Sequence, residues 1–443
     1  MSYPKAGWIA LQKGANSLVF IPHPRSKPRS DYPGALRVLL GHRLLKTLPV
    51  QTPAIPVSSP RLLPTRLIEW KEGTYKAGPF IAILTSKGNG STFCGNRQNF
   101  IDIIRMGKRM GVTVFVLTPE GLQPDSRTVR GYMLDTRKGG KGWISGTLPF
   151  PDVVYNRIPS RFAEQQQAEQ DAIRLLTKME NVHLFNPGFF DKWTLYLYLK
   201  RSAELCDLLP ETVQWGNREA FFQLLQRHSI LYLKPIDGKA GHGMIRVTKQ
   251  DQHFETIYQT LKQKQRFLSQ TREELYRLLQ TLIQSRKYVL QQGIPLARYL
   301  GSPFDLRLLL QKDGTGTWQI TGKGIRLAGQ KAISTHVPMG GSIEDAEVVL
   351  GYLFSERQAE KMEKLENTAI RIARHIEEQQ GHTLGEMSMD MGIDNQEKLW
   401  FFEANAKPMK FDEPDIRERS LQQLIQYCLY LSGFSRAAAQ ERG

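Results

Sequence analysis

Short apolar runs alternate with proline-rich stretches at the start of the chain. The runs WIAL and SLVFI have the length of strands. The stretches FIPHPRSKPRSDYPG and PVQTPAIPVSSPRLLP predict turns and extended chain, because proline fixes φ and lacks an amide donor. Residues 1–66 hold ten of the 24 prolines and ten Lys or Arg residues, against one acidic residue, Asp31. This pattern predicts a small, basic, β- or loop-rich module that ends near residues 65–77.

The pattern then changes to buried strands separated by amphipathic helices. The apolar strand GPFIAILTS is followed by a Gly/Asn/Ser loop, a helical run RQNFIDIIRMGKRMG and a second strand, VTVFVL. This β-loop-α-β order is typical of a parallel α/β sheet. Strands are also predicted in GYMLD and GWISGTLPFPDVVYNRI, and one helix in RFAEQQQAEQDAIRLLTKM. The loop 88–95 matches no phosphate-binding motif, so it is either a surface connection or the lining of a cleft beside a second substrate.

The rest of the chain alternates strands with long helices. Helices are predicted in DKWTLYLYLKRSAELC and QTREELYRLLQTLIQS, from apolar residues at helical spacing. Strands are predicted in ILYLKPI, MIRV, KYVLQQGI, DLRLLLQ, WQITGKGIRLA and LWFFEAN. We expect a large mixed α and β structure without internal repeats.

Length and composition are those of a globular protein with several domains. The chain has 443 residues, 40% hydrophobic and 23% charged, which suggests two to four domains at ~100–200 residues each. Its three cysteines form no CxxC pair, so neither a disulfide framework nor a zinc site is expected. We find no signal-peptide pattern and no apolar run near the ~18 residues of a membrane span. We therefore expect a soluble, cytoplasmic protein with no membrane partner.

The formal net charge of +17 favours an anionic partner or ligand, although a generally basic surface would also produce it. No cluster of Lys and Arg is interleaved with stacking aromatic residues, so nucleic-acid binding is not expected. The basic excess in residues 1–66 suggests an acidic polymer or peptide as partner of that segment.

The segment LYLKPIDGKAGHGMIRV carries a candidate phosphate-binding loop. A strand ends with Lys234, and the loop that follows contains Lys239 and the glycines Gly238, Gly241 and Gly243. Glycines let backbone amides approach phosphate oxygens, and a lysine neutralises their charge. Because the loop joins two strands, it is not a P-loop. The alternative is a flexible hairpin with a surface lysine.

Three further strands place polar residues among apolar ones. YVLQQGIPL ends in Gln291 and Gln292, which suit the edge of an apolar slot for a nucleotide base, although an ordinary strand end has the same pattern. Arg307 and Arg326 would be costly to bury without a phosphate or carboxylate. The alternative for them is an Asp305–Arg307 ion pair on a solvated face.

The segment GEMSMDMGIDNQEKLWFFEANAKP predicts a hairpin that carries oxygen ligands. Glu403 and Asn405 share one face of their strand, because side chains alternate along a strand, and Phe402 and Ala404 then point to the core. Asp390, on the preceding strand, can lie opposite them. Two carboxylates and an amide suit Mg²⁺ or Mn²⁺. The alternative is a structural Asp/Glu pair at the sheet surface.

The order of these motifs resembles that of the ATP-grasp superfamily over about residues 190–410. The most specific part is the E-x-N strand with an acid thirteen residues before it. The glycine-rich loop alone would not identify the superfamily. The segments GPFIAILTS, PDVVYNRIPSRFAEQ, NPGFFDKWTLY, LLPET and YVLQQGIPL further resemble the YheC/YheD family. These are ATP-grasp proteins associated with endospores of Bacillus-type bacteria. This similarity covers roughly residues 78–430.

The resemblance implies an α+β and α/β architecture with ATP between two α+β lobes. The ATP-grasp lobes would span residues 189–290 and 291–435. A Rossmann-like pre-ATP-grasp domain, 77–188, and the basic N-terminal module, 1–76, would precede them. A cytoplasmic protein with a spore association is implied.

The resemblance also assigns roles to individual residues. Lysines would contact the ATP phosphates, the loop 237–243 would cover them, and a hinge would hold the adenine. Two arginines would face the triphosphate and the acyl-phosphate, and three side chains would bind two Mg²⁺ or Mn²⁺ ions. The ATP-binding residues are Lys192, Lys234, Asp237, Gly238, Lys239, Gly241, Gly243, Gln291, Gln292 and Ile294; the catalytic residues are Arg307 and Arg326; the metal ligands are Asp390, Glu403 and Asn405.

The implied function is that of an ATP-dependent, ADP-forming carboxylate–amine ligase that works through an acyl-phosphate. Two alternatives stay open: an ATP-binding, coat-associated structural protein with little or no catalysis, and a kinase on the same fold. Two departures from related ligases concern the site. His336 stands where related ligases often have an asparagine; its role would be either structural or in proton transfer. The hinge, Gln291 to Ile294, carries Gln where many relatives carry Glu.

Overall fold

The computed structural model describes most of the chain in thirteen stretches: residues 5–11, 17–24, 33–51, 62–71, 73–135, 142–236, 238, 242–260, 263–329, 335, 341–409, 411 and 413–435. Within these residues the chain forms four six-stranded β-sheets that follow one another along the sequence. Mixed α and β structure was predicted, and this architecture agrees with it.

The first sheet belongs to the basic N-terminal segment and has the strand order β2-β1-β5-β6-β3-β4. Its pairs are antiparallel except for β3 with β6. Alternate residues of β3 are buried, as the period of a half-buried strand requires. The buried face packs on the second sheet, where Val38 and Leu40 share a cluster with Phe80 and Phe115. The strands are β1 (Ala6–Leu11), β2 (Leu18–Pro22), β3 (Ala35–Leu40), β4 (Leu44–Pro49), β5 (Leu62–Lys71) and β6 (Thr74–Gly78).

The second sheet contains the predicted β-loop-α-β unit, with strand order β10-β9-β8-β7-β11-β12. The pairs β7–β8, β7–β11 and β11–β12 are parallel. Asn96 caps α1, because its side chain accepts a hydrogen bond from the amide of Asn99. The elements are β7 (Phe80–Leu84), α1 (Arg97–Arg109), β8 (Thr113–Leu117), β9 (Thr128–Asp135), β10 (Gly142–Pro149), β11 (Val153–Asn156), α2 (Arg161–Glu164), α3 (Gln167–Lys178) and β12 (His183–Phe185).

The single helix predicted after β11 is wrong, because α2 and α3 are separate. Gln166 has an extended backbone with ψ of 148°, which ends α2 after one turn. The break leaves Glu164 buried, where its carboxylate accepts a hydrogen bond from the amide of Phe189 at 3.0 Å.

The third sheet is antiparallel, with strand order β13-β18-β14-β15-β16-β17. Helices α5 and α6 cover its buried face, and Leu224 and Leu279 meet Leu231 and Leu233 there. Strands β16 and β17 were not predicted, because their sequences FETIYQ and KQRFLS lack a regular alternation of apolar and polar residues. The elements are α4 (Lys192–Lys200), β13 (Thr212–Gln214), α5 (Arg218–Arg227), β14 (Ile230–Pro235), β15 (Met244–Lys249), β16 (Phe254–Gln259), β17 (Lys264–Ser269), α6 (Arg272–Ile283) and β18 (Tyr288–Gln292).

The fourth sheet carries most of the polar strand residues, with strand order β22-β21-β20-β23-β24 and β19 paired to β20. Helix α8 packs on its core, and α9 instead joins the second sheet, where Ile425 and Tyr427 cluster with Ile81 and Phe100. Helix α9 also contacts the fourth sheet, where Gln311 Nε2 on β20 donates to the carbonyl of Ser420 at 3.2 Å, and it thus joins the two sheets. The elements are β19 (Arg298–Tyr299), β20 (Ser302–Lys312), β21 (Trp318–Leu327), β22 (Ser342–Glu344), α7 (Ala346–Phe354), α8 (Gln358–Gln380), β23 (Glu386–Ile393), β24 (Leu399–Asn405) and α9 (Pro414–Leu431).

The cysteines Cys94, Cys206 and Cys428 are free thiols. Across the described ranges, no helix is both long and apolar enough to span a membrane.

Candidate functional site

A cavity of about 1450 Å³ lies between the second, third and fourth sheets. Its wall includes Asn96 and Arg157 from the second sheet's unit, Lys234 from β14, and Arg307 and Asp390 from the fourth sheet. Pockets for single small ligands usually measure about 300–1,000 Å³. The cavity therefore has room for more than one ligand.

The structure brings most of the predicted site residues to this cavity. Gly243 does not line it, because this residue turns the β14–β15 hairpin at φ +78° and its amide donates to the carbonyl of Gln259 at 2.8 Å. Asp237, Lys239, Gly241 and His336 lie outside the described residues. The predicted residues that line the cavity are Lys192, Lys234, Gly238, Gln291, Gln292, Ile294, Arg307, Arg326, Asp390, Glu403 and Asn405.

Three adjacent strands place opposite charges in one row across the fourth sheet. Arg307 on β20 lies opposite Asp390 on β23, which lies opposite Glu403 on β24. The guanidinium Nη1 of Arg307 is 2.9 Å from Asp390 Oδ1. Glu403 in turn forms an ion pair with Lys192, the first residue of α4. The order of charges is therefore cation (Arg307), anion (Asp390), anion (Glu403) and cation (Lys192).

Arg326 is shared between two buried carboxylates. Its Nε and Nη2 donate to the two oxygens of Asp305 at 2.8 and 2.7 Å, and Nη2 also lies 2.8 Å from Asp390 Oδ2. Burial raises the pKa of the Asp305 carboxyl, while Arg326 opposes this and Asp390 adds to it. The alternative of an Asp305–Arg307 pair on a solvated face is wrong, because Asp305 is buried and its partner is Arg326.

The prediction that Phe402 points to the core is also wrong. The register of β23 and β24 shifts between Asp390 and Met391, so a β-bulge interrupts the alternation beside Glu403. Phe402 consequently lines the cavity, and Lys234 Nζ lies 5.6 Å from the centroid of its ring. Gly392 makes room for this ring, since a Cβ there would lie 2.6 Å from Phe402 Cε2. Ala404, by contrast, is in the core as predicted.

Lys234 is a half-buried cation in the cavity wall. Burial lowers its pKa to about 8; Glu403, Asp390 and Asp305 oppose this shift, and Lys192 adds to it. Its ammonium group donates to Gln291 Oε1 at 2.6 Å.

Gln291 and Gln292, at the end of β18, both bind protein groups through their side chains. Gln291 Nε2 donates to Thr212 Oγ1 at 3.2 Å, and Gln292 Oε1 accepts from the amide of Glu211 at 3.2 Å. These bonds fix the end of β18 against β13 at the edge of the cavity.

A buried asparagine anchors the two strands that carry the candidate metal ligands. Asn186 adopts a left-handed backbone with φ of 53° and is fully buried. Its Nδ2 donates to the carbonyls of Glu386 and Ala406 at 2.7 and 2.5 Å, and its Oδ1 accepts from the amide of Gly385 at 2.8 Å. One side chain therefore holds the start of β23 beside the end of β24.

The donor set of Asp390, Glu403 and Asn405 fits a hard divalent cation. The two carboxylates are direct neighbours across the β23–β24 pair, and Asn405 Nδ2 lies 3.4 Å from Glu403 Oε1. The described residues contain no cluster of three or more His, Cys, Asp or Glu that could hold a metal. An ion here would therefore complete its shell with the Asn405 amide oxygen, water and ligand oxygens, as Mg²⁺ commonly does.

The sequence interpretation missed a second group of cavity residues. Arg157 and Arg161 follow β11, at the carboxyl end of a parallel strand, where ligands of α/β sheets commonly bind. That position was the signal that could have revealed them. Arg246 on β15 also lines the cavity, but its sequence context, MIRV, contains nothing that distinguishes it from a surface strand residue.

Comparison with known proteins gives matches over most of the chain. A family model described as "YheC/D like ATP-grasp" matches residues 181–431. The chain is 25% identical over 370 residues to the endospore coat-associated protein YheD of Bacillus subtilis (strain 168), covering 81% of this chain and 80% of that protein. It is 20% identical over 334 residues to the endospore coat-associated protein YheC of the same strain, covering 74% and 91%. Among solved structures, it is similar to D-alanyl-alanine synthetase A from Vibrio cholerae O1 biovar eltor str. N16961, with a TM-score of 0.49, 12% identity, and coverage of 80% of this chain and 98% of that one.

Proposed function

The chain belongs to the YheC/D-like ATP-grasp family, and from this premise we propose that it is an ATP-dependent carboxylate–amine ligase. The reaction would join a carboxylate and an amine into an amide and convert ATP to ADP and phosphate. One observation carries the proposal: four cationic side chains and three oxygen ligands line a single cavity. They are Lys192, Lys234, Arg307, Arg326, Asp390, Glu403 and Asn405.

The cations and carboxylates suit phosphoryl transfer, which depends mainly on positioning and charge neutralisation. Lys192, Arg307 and Arg326 now pair with Glu403, Asp390 and Asp305. When bound by Asp390, Glu403 and Asn405, two Mg²⁺ or Mn²⁺ ions would neutralise phosphate charge. The lysines and arginines that those carboxylates hold in place would then contact phosphate oxygens.

The proposed chemistry needs no nucleophilic side chain. An oxygen of the substrate carboxylate attacks the γ-phosphorus of ATP, the bond to ADP breaks, and an acyl-phosphate forms. The amine nitrogen then attacks the acyl carbon, phosphate leaves, and the nitrogen loses a proton. Arg307 and Arg326 would stabilise the charge on the transferred phosphoryl group. Phe402 and Ile294 supply apolar wall that limits water near the intermediate.

A second candidate function is that of an ATP-binding protein of the spore coat with little catalysis. It is favoured by the names of YheD and YheC, which describe them as endospore coat-associated. Residues 1–66 would then supply a basic contact surface for an anionic polymer or coat partner.

The test is ADP formation from MgATP in three mixtures: no acceptor, a pool of carboxylic acids, and the same acids with a pool of amines. A ligase produces amide, phosphate and ADP only with acid and amine together. A kinase would form ADP fully with the acids alone, without any need for amines, and would release no phosphate. No ADP above background in any mixture, despite ATP binding, would favour the coat protein.

The low pKa of Lys234 predicts that nucleotide affinity depends on pH. A protonated Lys234 attracts phosphate and a neutral one does not, so the affinity for ATP should fall as pH rises through about 8. The bound phosphates raise the pKa of Lys234, and the fall should therefore approach about tenfold per pH unit above that value. Titration of ATP by calorimetry at several values of pH between 7 and 9 measures it.

Lys234→Met is the control for this pH dependence. This variant should bind ATP more weakly than the wild type at pH 7. It should also lack the part of the fall in affinity above pH 8 that comes from deprotonation of Lys234. The same slope in the wild type and in Lys234→Met would exclude Lys234 as its source.

A further inference from the structure

Three cationic side chains line the part of the cavity built by the second sheet and by the chain after β24. They are Arg157, Arg161 and Lys407. Asn96 and Asn99, at the start of α1, line the same part, and the first turn of that 13-residue helix contains no acidic residue. A helix start without acidic residues favours anions. These groups are separate from the lysines and arginines assigned to the phosphates.

Two of the three cations are held by buried carboxylates that do not line the cavity. Lys407 forms an ion pair with Glu164, and the two side chains are only 4% and 12% exposed. Arg157 Nη1 lies 3.3 Å from Glu386 Oε1, and its Nη2 donates to the carbonyl of Pro408 at 3.0 Å. Both charges are therefore neutralised by the protein itself.

Arg161 differs, because no carboxylate among the described residues pairs with it. Its Nη2 donates to the carbonyl of Phe190 at 2.6 Å, and its guanidinium lies 5.5 Å from the centroid of the Phe189 ring. Lys407 Nζ lies over the same ring at 4.3 Å, which places a second cation beside it. The Nε of Arg161 is buried and has no hydrogen-bond partner in the described part of the chain.

A buried N–H donor of a charged group without an acceptor is costly, whereas a carboxylate matches the guanidinium fork with two parallel hydrogen bonds. Arg161 is anchored by its contacts to Phe189 and Phe190, so little side-chain entropy is lost on binding. Arg161 therefore offers a positive charge, an N–H donor without an acceptor and a fixed orientation.

We propose that Arg161 binds a substrate carboxylate that stays unreacted. This inference rests on the proposed ligase function, since the reacting carboxylate must lie at the phosphates, beside Arg307 and Arg326. The substrate that enters next to Arg161 thus carries a second carboxylate, as a small dicarboxylate or as an acidic peptide. Arg161, whose charge no described carboxylate neutralises, selects for that carboxylate.

Binding without turnover tests this assignment. Calorimetry on the full chain, with and without MgADP, compares glutarate with its monoamide, and the peptide acetyl-Ala-Glu-Ala, which keeps its C-terminal carboxylate, with its Gln counterpart. At least one acid should bind about tenfold or more tightly than its amide, which is the scale of one charge-assisted pair. Binding of glutarate alone identifies a small dicarboxylate, and binding of the peptide acid alone identifies a peptide.

Variants separate recognition from folding. Arg161→Gln should abolish the preference for the acid, and Arg161→Lys should retain part of it. Arg109→Gln removes an exposed arginine that does not line the cavity and should leave the preference unchanged. The Tm of each variant shows whether it is folded.

Equal binding of acid and amide, no binding of either acid, or an unchanged acid preference in folded Arg161→Gln would overturn the assignment. Failure of the ligase proposal is seen separately, as absence of ADP formation or of ATP binding, because acid binding is measured without turnover.

Discussion

Glu403→Gln is expected to lower Mg²⁺-dependent ADP formation by about 100- to 1,000-fold, the scale seen when one preorganised charge-stabilising group is lost. Glutamine keeps the shape of the side chain but removes the negative charge that a divalent cation requires. It also breaks the ion pair with Lys192. Steady-state ADP formation at several Mg²⁺ concentrations measures the effect.

Glu366→Gln is the matched control for this variant. Glu366 forms an ion pair with Lys323 in which the side chains are 32% and 25% exposed, close to the 20% of both partners in the Lys192–Glu403 pair. It does not line the cavity. Glu366→Gln should therefore retain ADP formation, and wild-type turnover in Glu403→Gln would refute the metal assignment.

The second large effect concerns stability. Arg326→Met is expected to lower the free energy of unfolding by about 3–5 kcal/mol, because it leaves Asp305 and Asp390 buried with one counter-charge removed. Urea unfolding followed by circular dichroism measures the change. Arg357→Met, which breaks the exposed pair with Glu397, should shift the midpoint little.

The same variant should show a stronger pH dependence of stability than the wild type. Without Arg326, burial raises the folded-state pKa of Asp305 further above its unfolded value of about 3.9. The folded form then binds the extra proton, so the stability of Arg326→Met falls as pH rises from that value through the folded-state pKa. The deficit against wild type should be largest at neutral pH. A deficit that is independent of pH between 4 and 7 would contradict the role given to Asp305.

Period-two alternation was sufficient to place most of the strand-borne site. Glu403 and Asn405 were predicted on one face because residues two apart share a face, and Asp390 was predicted opposite them in the hairpin; all three line the cavity. Lys234 follows from the end of its strand in the same way, whereas Lys192 was assigned only through the family resemblance. Local pattern thus identifies residues whose position depends on their own strand or helix.

Features that depend on two strands at once could not be predicted. The bulge that turns Phe402 into the cavity is a property of the β23–β24 register. The sharing of Arg326 between Asp305 and Asp390 likewise needs the relative placement of β20, β21 and β23. The residue pattern of one strand contains no signal for a register shift against its neighbour or for the placement of three strands relative to one another.

The most direct measurement of the central claim is the thermal unfolding of the full chain with ATP, with Mg²⁺ and with both together. We expect a clear rise in Tm only when both are present, since a ligand at 100 times its Kd stabilises the folded form by about 2.7 kcal/mol. The rise should disappear with a chelator and be much smaller in Glu403→Gln. An unchanged Tm with saturating MgATP would contradict the assignment of this cavity as a magnesium–ATP site.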